Sequence, residues 1–97
     1  MTLLFKIKVV MLQIETTNDW QRIESELRES TKNLSFTIQN DLEKINKNIC
    51  GLVSELSKAE IECRRRKKAT RRFLEIREEC NSLIAEYQKM ILMGQLL

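Results

Sequence analysis

No proline occurs anywhere in this chain, and between Trp20 and Met90 apolar side chains recur mostly at steps of three and four, with a step of seven after Leu27 and a break after Cys63. Trp20, Ile23, Leu27 and Leu34 open the series. After a one-residue slip near Thr37 it continues through Ile38, Leu42, Ile45, Ile49, Leu52, Leu56, Ala59 and Cys63. A second seam follows in a shifted register: Ala69, Phe73, Ile76, Cys80, Leu83, Tyr87 and Met90. Steps of three and four in alternation hold an apolar stripe on one helix face, which predicts packing against other helices in coiled-coil fashion. Leu74, Ile84 and Ile91 flank the second seam and make it wide enough for a bundle of more than two helices.

Composition agrees. Aromatic residues are 5% of the chain, charged residues 32%, and there are only two glycines. A compact globule needs more turn formers and more large buried side chains, whereas this profile suits long helices. With 97 residues the chain is too short for two separate cores. The expected fold class is therefore all-α, a long amphipathic helix in a coiled coil or helical bundle.

Three segments are expected: an apolar arm over 1–16, a coiled-coil helix over 17–93 and a tail over 94–97. Thr17, Asn18 or Asp19 can cap the helix, and Asn18 with Gln21 resembles a capping box. An unbroken helix from Asn18 to Met93 would be about 110 Å long. Its weak point is INKNICG, where Asn46, Asn48 and Gly51 cluster. A hairpin turning near 46–51 is the alternative, and would set Glu24, Glu26 and Glu29 opposite the basic block and the arm opposite 83–91. Ile45, Ile49 and Leu52 carry the seam through that point, which favours continuity. Asn46 and Asn48 read as surface residues rather than as polar residues fixing register at an interface.

The arm MTLLFKIKVVMLQI has no acid, but Lys6 and Lys8 interrupt its apolar run and no small-residue cleavage site follows, so it does not read as a secretory signal. Phe5, Ile7 and Val9 alternate with lysines in strand-like fashion. Met11 is an alternative start that would make residues 1–10 dispensable. Neither the arm nor the terminal MILMGQLL reaches the roughly 20 residues that span a bilayer. Cys50, Cys63 and Cys80 form no CxxC, and there is no histidine, so no metal site and no cofactor is expected. The cysteines read as structural thiols in a reducing compartment.

The chain carries a formal charge of +3, yet residues 64–72 alone hold seven cations and leave −4 for the rest. Arg64, Arg65, Arg66, Lys67 and Lys68 are consecutive, followed by Arg71 and Arg72. On a continuous helix, successive residues turn by about 100°, so five in a row encircle the axis instead of forming one binding face. Extending the heptad would put Arg66 and Thr70 in the core, which requires splayed helices or a partner chain supplying carboxylates. The block also lies between two seams, unlike the basic region of a leucine zipper. Arg66 and Arg77 could form an ionic layer like that of a membrane-fusion helix, but no clean run of heptads centres on either.

No glycine-rich phosphate loop, GxSxG or HExxH is present, and the adjacent Glu78 and Glu79 diverge on a helix, so no enzyme is expected. The chain is similar in general look to the short coiled-coil subunits of kinetochore, cilium-transport and vesicle-tethering complexes, a likeness of composition that carries no residue roles. The expected function is a non-catalytic scaffolding or assembly subunit joining other coiled-coil chains, hetero-oligomeric rather than homodimeric. Its interface residues would be Leu27, Leu34, Ile38, Leu42, Ile45, Ile49, Leu52, Leu56, Cys63, Phe73, Ile76, Cys80, Leu83, Tyr87 and Met90. The alternative is a basic module whose residues 64–72 dock an acidic polymer such as a cytoskeletal filament, with nucleic acid or anionic membrane less favoured. The expected location is cytoplasmic or nuclear, in association with the cytoskeleton, with neither secretion nor a transmembrane segment.

Overall fold

A computed structural model describes residues 12–96. Expectations about residues 1–11, including the strand-like arm and the alternative start at Met11, lie outside the described residues. Three helices, α1 (Asp19–Ser30), α2 (Phe36–Arg66) and α3 (Arg71–Leu96), make up 81% of them. Together they form an antiparallel up-down-up bundle measuring 51 × 28 × 18 Å. No strand occurs among the described residues.

The expected single helix is interrupted twice, at 31–35 and 67–70, and the alternative turn at 46–51 does not form. The first interruption coincides with the slip in the heptad. Thr31 closes α1, its hydroxyl donating to the Arg28 carbonyl at 2.8 Å. Ser35 caps α2 by accepting from the Ile38 N–H at 3.4 Å. The Gln39 amide then reaches back to the carbonyls of Thr31 and Leu34 at 3.0 and 2.9 Å, satisfying acceptors that the turn would otherwise leave free.

The second interruption lies inside the basic block. Lys67 adopts φ 56°, the left-handed conformation. Its N–H donates to the Arg64 carbonyl at 3.3 Å and the Lys68 N–H to the Cys63 carbonyl at 3.2 Å, the paired bonds of a Schellman motif. Thr70 starts α3 by accepting from the Phe73 N–H at 3.2 Å. The Thr70 N–H in turn donates to the Cys63 thiol at 3.3 Å, tying the end of one helix to the start of the next.

Once α3 folds back, the two seams face one another. Leu42, Ile49 and Leu56 of α2 are buried with Phe73, Ile76, Cys80, Ile84, Tyr87 and Ile91 of α3. At 12 residues, α1 is at the lower limit for a helix stable by itself, and docks through Trp20, Ile23 and Leu27, spaced three and four apart. Each buried side chain of this size contributes about 1.5–3 kcal/mol through removal from water.

Asn46, expected at the surface, is 2% exposed and sits between Leu42 and Ile49 in the core. It accepts from the Cys50 thiol at 3.2 Å and lies beside Tyr87, yet its Nδ2 has no partner. Asn48 is exposed, as read from the sequence.

Residues 12–15 run antiparallel along α3. Leu12 N–H donates to Gln88 Oε1 at 3.1 Å and Ile14 N–H to Asn81 Oδ1 at 2.6 Å, while Asn81 Nδ2 donates to the Ile14 carbonyl at 3.1 Å. These bonds seat Ile14, which is fully buried. Asp19 holds the bend into α1 by accepting from the N–H groups of Glu15 and Thr16 at 2.8 and 3.1 Å. Those two bonds hold its carboxyl below the ordinary aspartate value. The stability they contribute is present at neutral pH and is lost as pH falls through the lowered value.

Gly51 lies in the middle of α2 with open space where a Cβ would stand. Gly51→Ala is expected to raise stability by about 1 kcal/mol in denaturant unfolding, since it removes backbone entropy from the unfolded chain without a clash. A loss of stability would mean that α2 turns there after all.

Candidate functional site

With the seams meeting inside one chain, the expected interface residues divide by exposure. Leu27, Leu42, Ile49, Leu56, Phe73, Ile76, Cys80 and Tyr87 are buried, whereas Leu34, Ile38, Ile45, Leu52, Cys63, Leu83 and Met90 are half-buried at the margins. A partner helix is not needed to cover the first group, because α3 folds back onto α2 within the chain. Only the margins remain available.

One margin forms a groove between α2 and α3, lined by Leu52 and Leu83 with Glu75, Glu78, Glu79 and Ser82. The spacing explains the clustering. Glu75, Glu78, Glu79 and Ser82 follow steps of three and four on α3, so they share a face. Glu78 and Glu79, adjacent on α3, both border this groove. Glu75 meets Arg71 at 3.8 Å, while Glu78 and Glu79 make no ion pair among the described residues.

The basic block forms the hairpin tip between α2 and α3. Arg64, Arg65, Arg66, Lys67, Lys68, Arg71 and Arg72 are all exposed there. Splayed helices or a partner's carboxylates are not required, because Arg66 never enters the core and local glutamates pair with the arginines. Arg66 meets Glu62 at 2.9 Å, Arg72 meets Glu55 across the hairpin at 3.0 Å, and Arg64 and Arg65 reach Glu60 and Glu62 at 3.5 Å. Such exposed pairs contribute only a few tenths of a kcal/mol each, roughly. Lys67 and Lys68 make no ion pair among the described residues. Glu24, Glu26 and Glu29 are not opposite this block; they pair with Arg28, Arg22 and Lys32 near α1. Arg77 forms no ionic layer with Arg66, and instead meets Glu15 at 3.5 Å and lies 5.5 Å from the Phe73 ring centroid. At the opposite pole Phe36, Met93 and Leu96 are exposed apolar residues.

Sequence reasoning missed the groove because adjacent glutamates were weighed for acid–base chemistry and not as one edge of a helix pair. It missed the turn although STKNLS and the run up to Ala69-Thr70 carry loop and cap signals.

An antiparallel bundle with a closed apolar core, a shallow acidic groove and a basic tip defines a helical protein-interaction domain. The chain belongs to the family described as BOS1/GOSR2/MEM11, N-terminal domain, which it matches over residues 1–95. Neither the curated proteins nor the solved structures searched gave a match. The family is SNARE-related and non-enzymatic, with helical protein partners in hetero-oligomeric complexes. Its members act in membrane trafficking at ER and Golgi membranes, which overturns the expected cytoplasmic or nuclear, cytoskeleton-associated location. That expectation rested on the lack of a secretory signal and of a bilayer-spanning segment, and its cytoskeletal part on the basic block. Among the described residues no helix is long and apolar enough to cross a membrane, but a trafficking family operates at membranes whether or not this domain enters one. A cytoskeletal or other acidic polymer has no support as a partner.

The three thiols differ in environment. Cys80 is fully buried, and burial, with Glu79 adding to it, pushes its pKa up to about 11. Cys50 is exposed, its pKa raised by partial burial and by Glu24. Alkylation of the folded protein at mildly alkaline pH, read by mass spectrometry, is expected to label Cys50 first and Cys80 only upon unfolding. Equal rates at the two positions would contradict the buried placement of Cys80.

Proposed function

We propose that this bundle is a non-catalytic docking module of a SNARE-type assembly, receiving one partner helix along the α2–α3 groove. The observation that carries this reading is the groove itself. Leu52 and Leu83 offer an apolar floor, and Glu75, Glu78 and Glu79 line one wall. A helix fits such a groove by setting apolar residues at steps of three and four onto the floor, as helix-in-groove recognition does elsewhere. The carboxylate wall selects a helix whose flanking positions carry lysine or arginine, and disfavours acidic competitors by like-charge repulsion. The partner expected from the sequence, another helical chain in a hetero-oligomer, fits this arrangement. Its contact is with the half-buried Leu52 and Leu83 and the exposed Glu75, Glu78, Glu79 and Ser82, all on helices already packed together, so ordering contributes little cost.

Purified SNARE helices with basic residues beside the heptad seam provide the test. Methyl NMR is expected to show shifts centred on Leu52 and Leu83, and calorimetry is expected to show affinity at least tenfold weaker for Glu75→Lys/Glu78→Lys/Glu79→Lys. Shifts confined to another face, or no binding at millimolar helix, would sink the groove as the docking site.

A further inference from the structure

We infer that the hairpin tip between α2 and α3 is a contact site for anionic phospholipid headgroups, holding the bundle end-on at a membrane surface. The turn changes what the basic block can do. Five consecutive cations on a continuous helix point in all directions, but at a helix end that reverses into another helix they gather at one pole of a 51 Å bundle. All seven cations of 64–72 are exposed there. Even with the flanking Glu60, Glu62 and Glu75 counted, residues 60–75 retain a net +4. A charge set this compact acts within a Debye length of about 8 Å, so it favours the approach of the tip rather than of the bundle's sides.

Stability alone does not account for these residues. Glycine is the residue that suits the left-handed position, yet Lys67 occupies it at φ 56°. Arg71 and Arg72 occupy the first turn of α3, which has no acid, so they oppose the positive end of the helix dipole. Arg64, Arg65 and Arg66 do complement the C-terminus of α2, but Lys67 and Lys68 lie beyond it and have no ion-pair partner among the described residues. Two cations free of carboxylates, on a backbone pinned by the Schellman bonds, are presented outward.

Apolar residues near the tip favour a bilayer over nucleic acid. Leu74 and Ile61 are 41% and 56% exposed and lie about 5 and 8 Å from the tip along α3 and α2, within reach of the headgroup boundary. No aromatic or amide side chain lies between Arg64 and Arg72 to read or stack on bases. The family's work at ER and Golgi membranes supplies the surface.

Co-sedimentation of the chain with phosphatidylcholine vesicles, with and without phosphatidylserine, tests the inference, with duplex DNA as a competing probe. Binding is expected only to the phosphatidylserine vesicles, and is expected to disappear at high salt. Lys67→Gly with Lys68→Gln is expected to lower partitioning about thirtyfold. The glycine relieves the left-handed lysine, so this variant is expected to melt no lower than the parent chain, which separates lost binding from lost folding. Phe36→Ser, at the opposite pole, is expected to leave partitioning unchanged. Absence of phosphatidylserine-dependent binding at low salt overturns the inference. So do equal binding by the lysine variant and tighter binding to DNA than to the vesicles.

Discussion

The seam of α2 packs against the seam of α3 in the same chain, and every other feature of the bundle follows from that contact. It exists only because the chain reverses at 67–70, where Lys67 enters the left-handed region and Thr70 caps the next helix. With the reversal in place, Leu42, Ile49 and Leu56 meet Ile76, Cys80, Ile84 and Tyr87, and the short α1 gains a surface on which to dock. Without it, two apolar stripes would stay exposed on a long rod, and association with other chains would be the only way to cover them.

Burial of the seams leaves the chain's partners to its margins and its ends. The side of the α2–α3 pair offers an apolar floor with a carboxylate wall, while the tip gathers the cations. These two surfaces have opposite charge and adjoin where Glu75 of the groove meets Arg71 of the tip at 3.8 Å. The basic helix proposed for the groove and the anionic surface proposed for the tip concern neighbouring surfaces of a domain whose SNARE-related family acts at trafficking membranes. Neither surface needs a catalytic group, in keeping with a non-enzymatic family.

Much of this was legible in the residues. The alternation of three and four named the residues that line the helix contacts, eight of them buried and seven half-buried at the margins, and of the flanking residues Ile84 and Ile91 are buried while Leu74 is exposed. The hairpin alternative set the arm opposite 83–91; of that arm, residues 12–15 run along α3 beside Gln88, Asn81 and Arg77, although the turn at 46–51 on which the alternative rested does not form. What the pattern could not supply was the sign of the break at 64–72. A shift of register reads the same whether the helix continues, splays or reverses, and the left-handed residue here is lysine rather than the glycine that usually announces a helix end. Gly51, the residue that did announce one, sits in a long helix held straight by Ile49 and Leu56 on either side. Asn46 was misplaced for a related reason: a polar side chain does not announce its own burial, and here a thiol and a phenol lie beside it in the seam while its Nδ2 has no partner. The groove was missed because its walls belong to two helices whose pairing was not yet known.

Small-angle scattering with the mass determined in parallel tests the intramolecular seam contact most directly. A monomer at micromolar concentration with a radius of gyration near the 15.1 Å of the described residues is the predicted result. A dimer with a radius of gyration of about 32 Å, the value for a rod of about 110 Å, would contradict it, because the seams would then be covered by a second chain and not by each other.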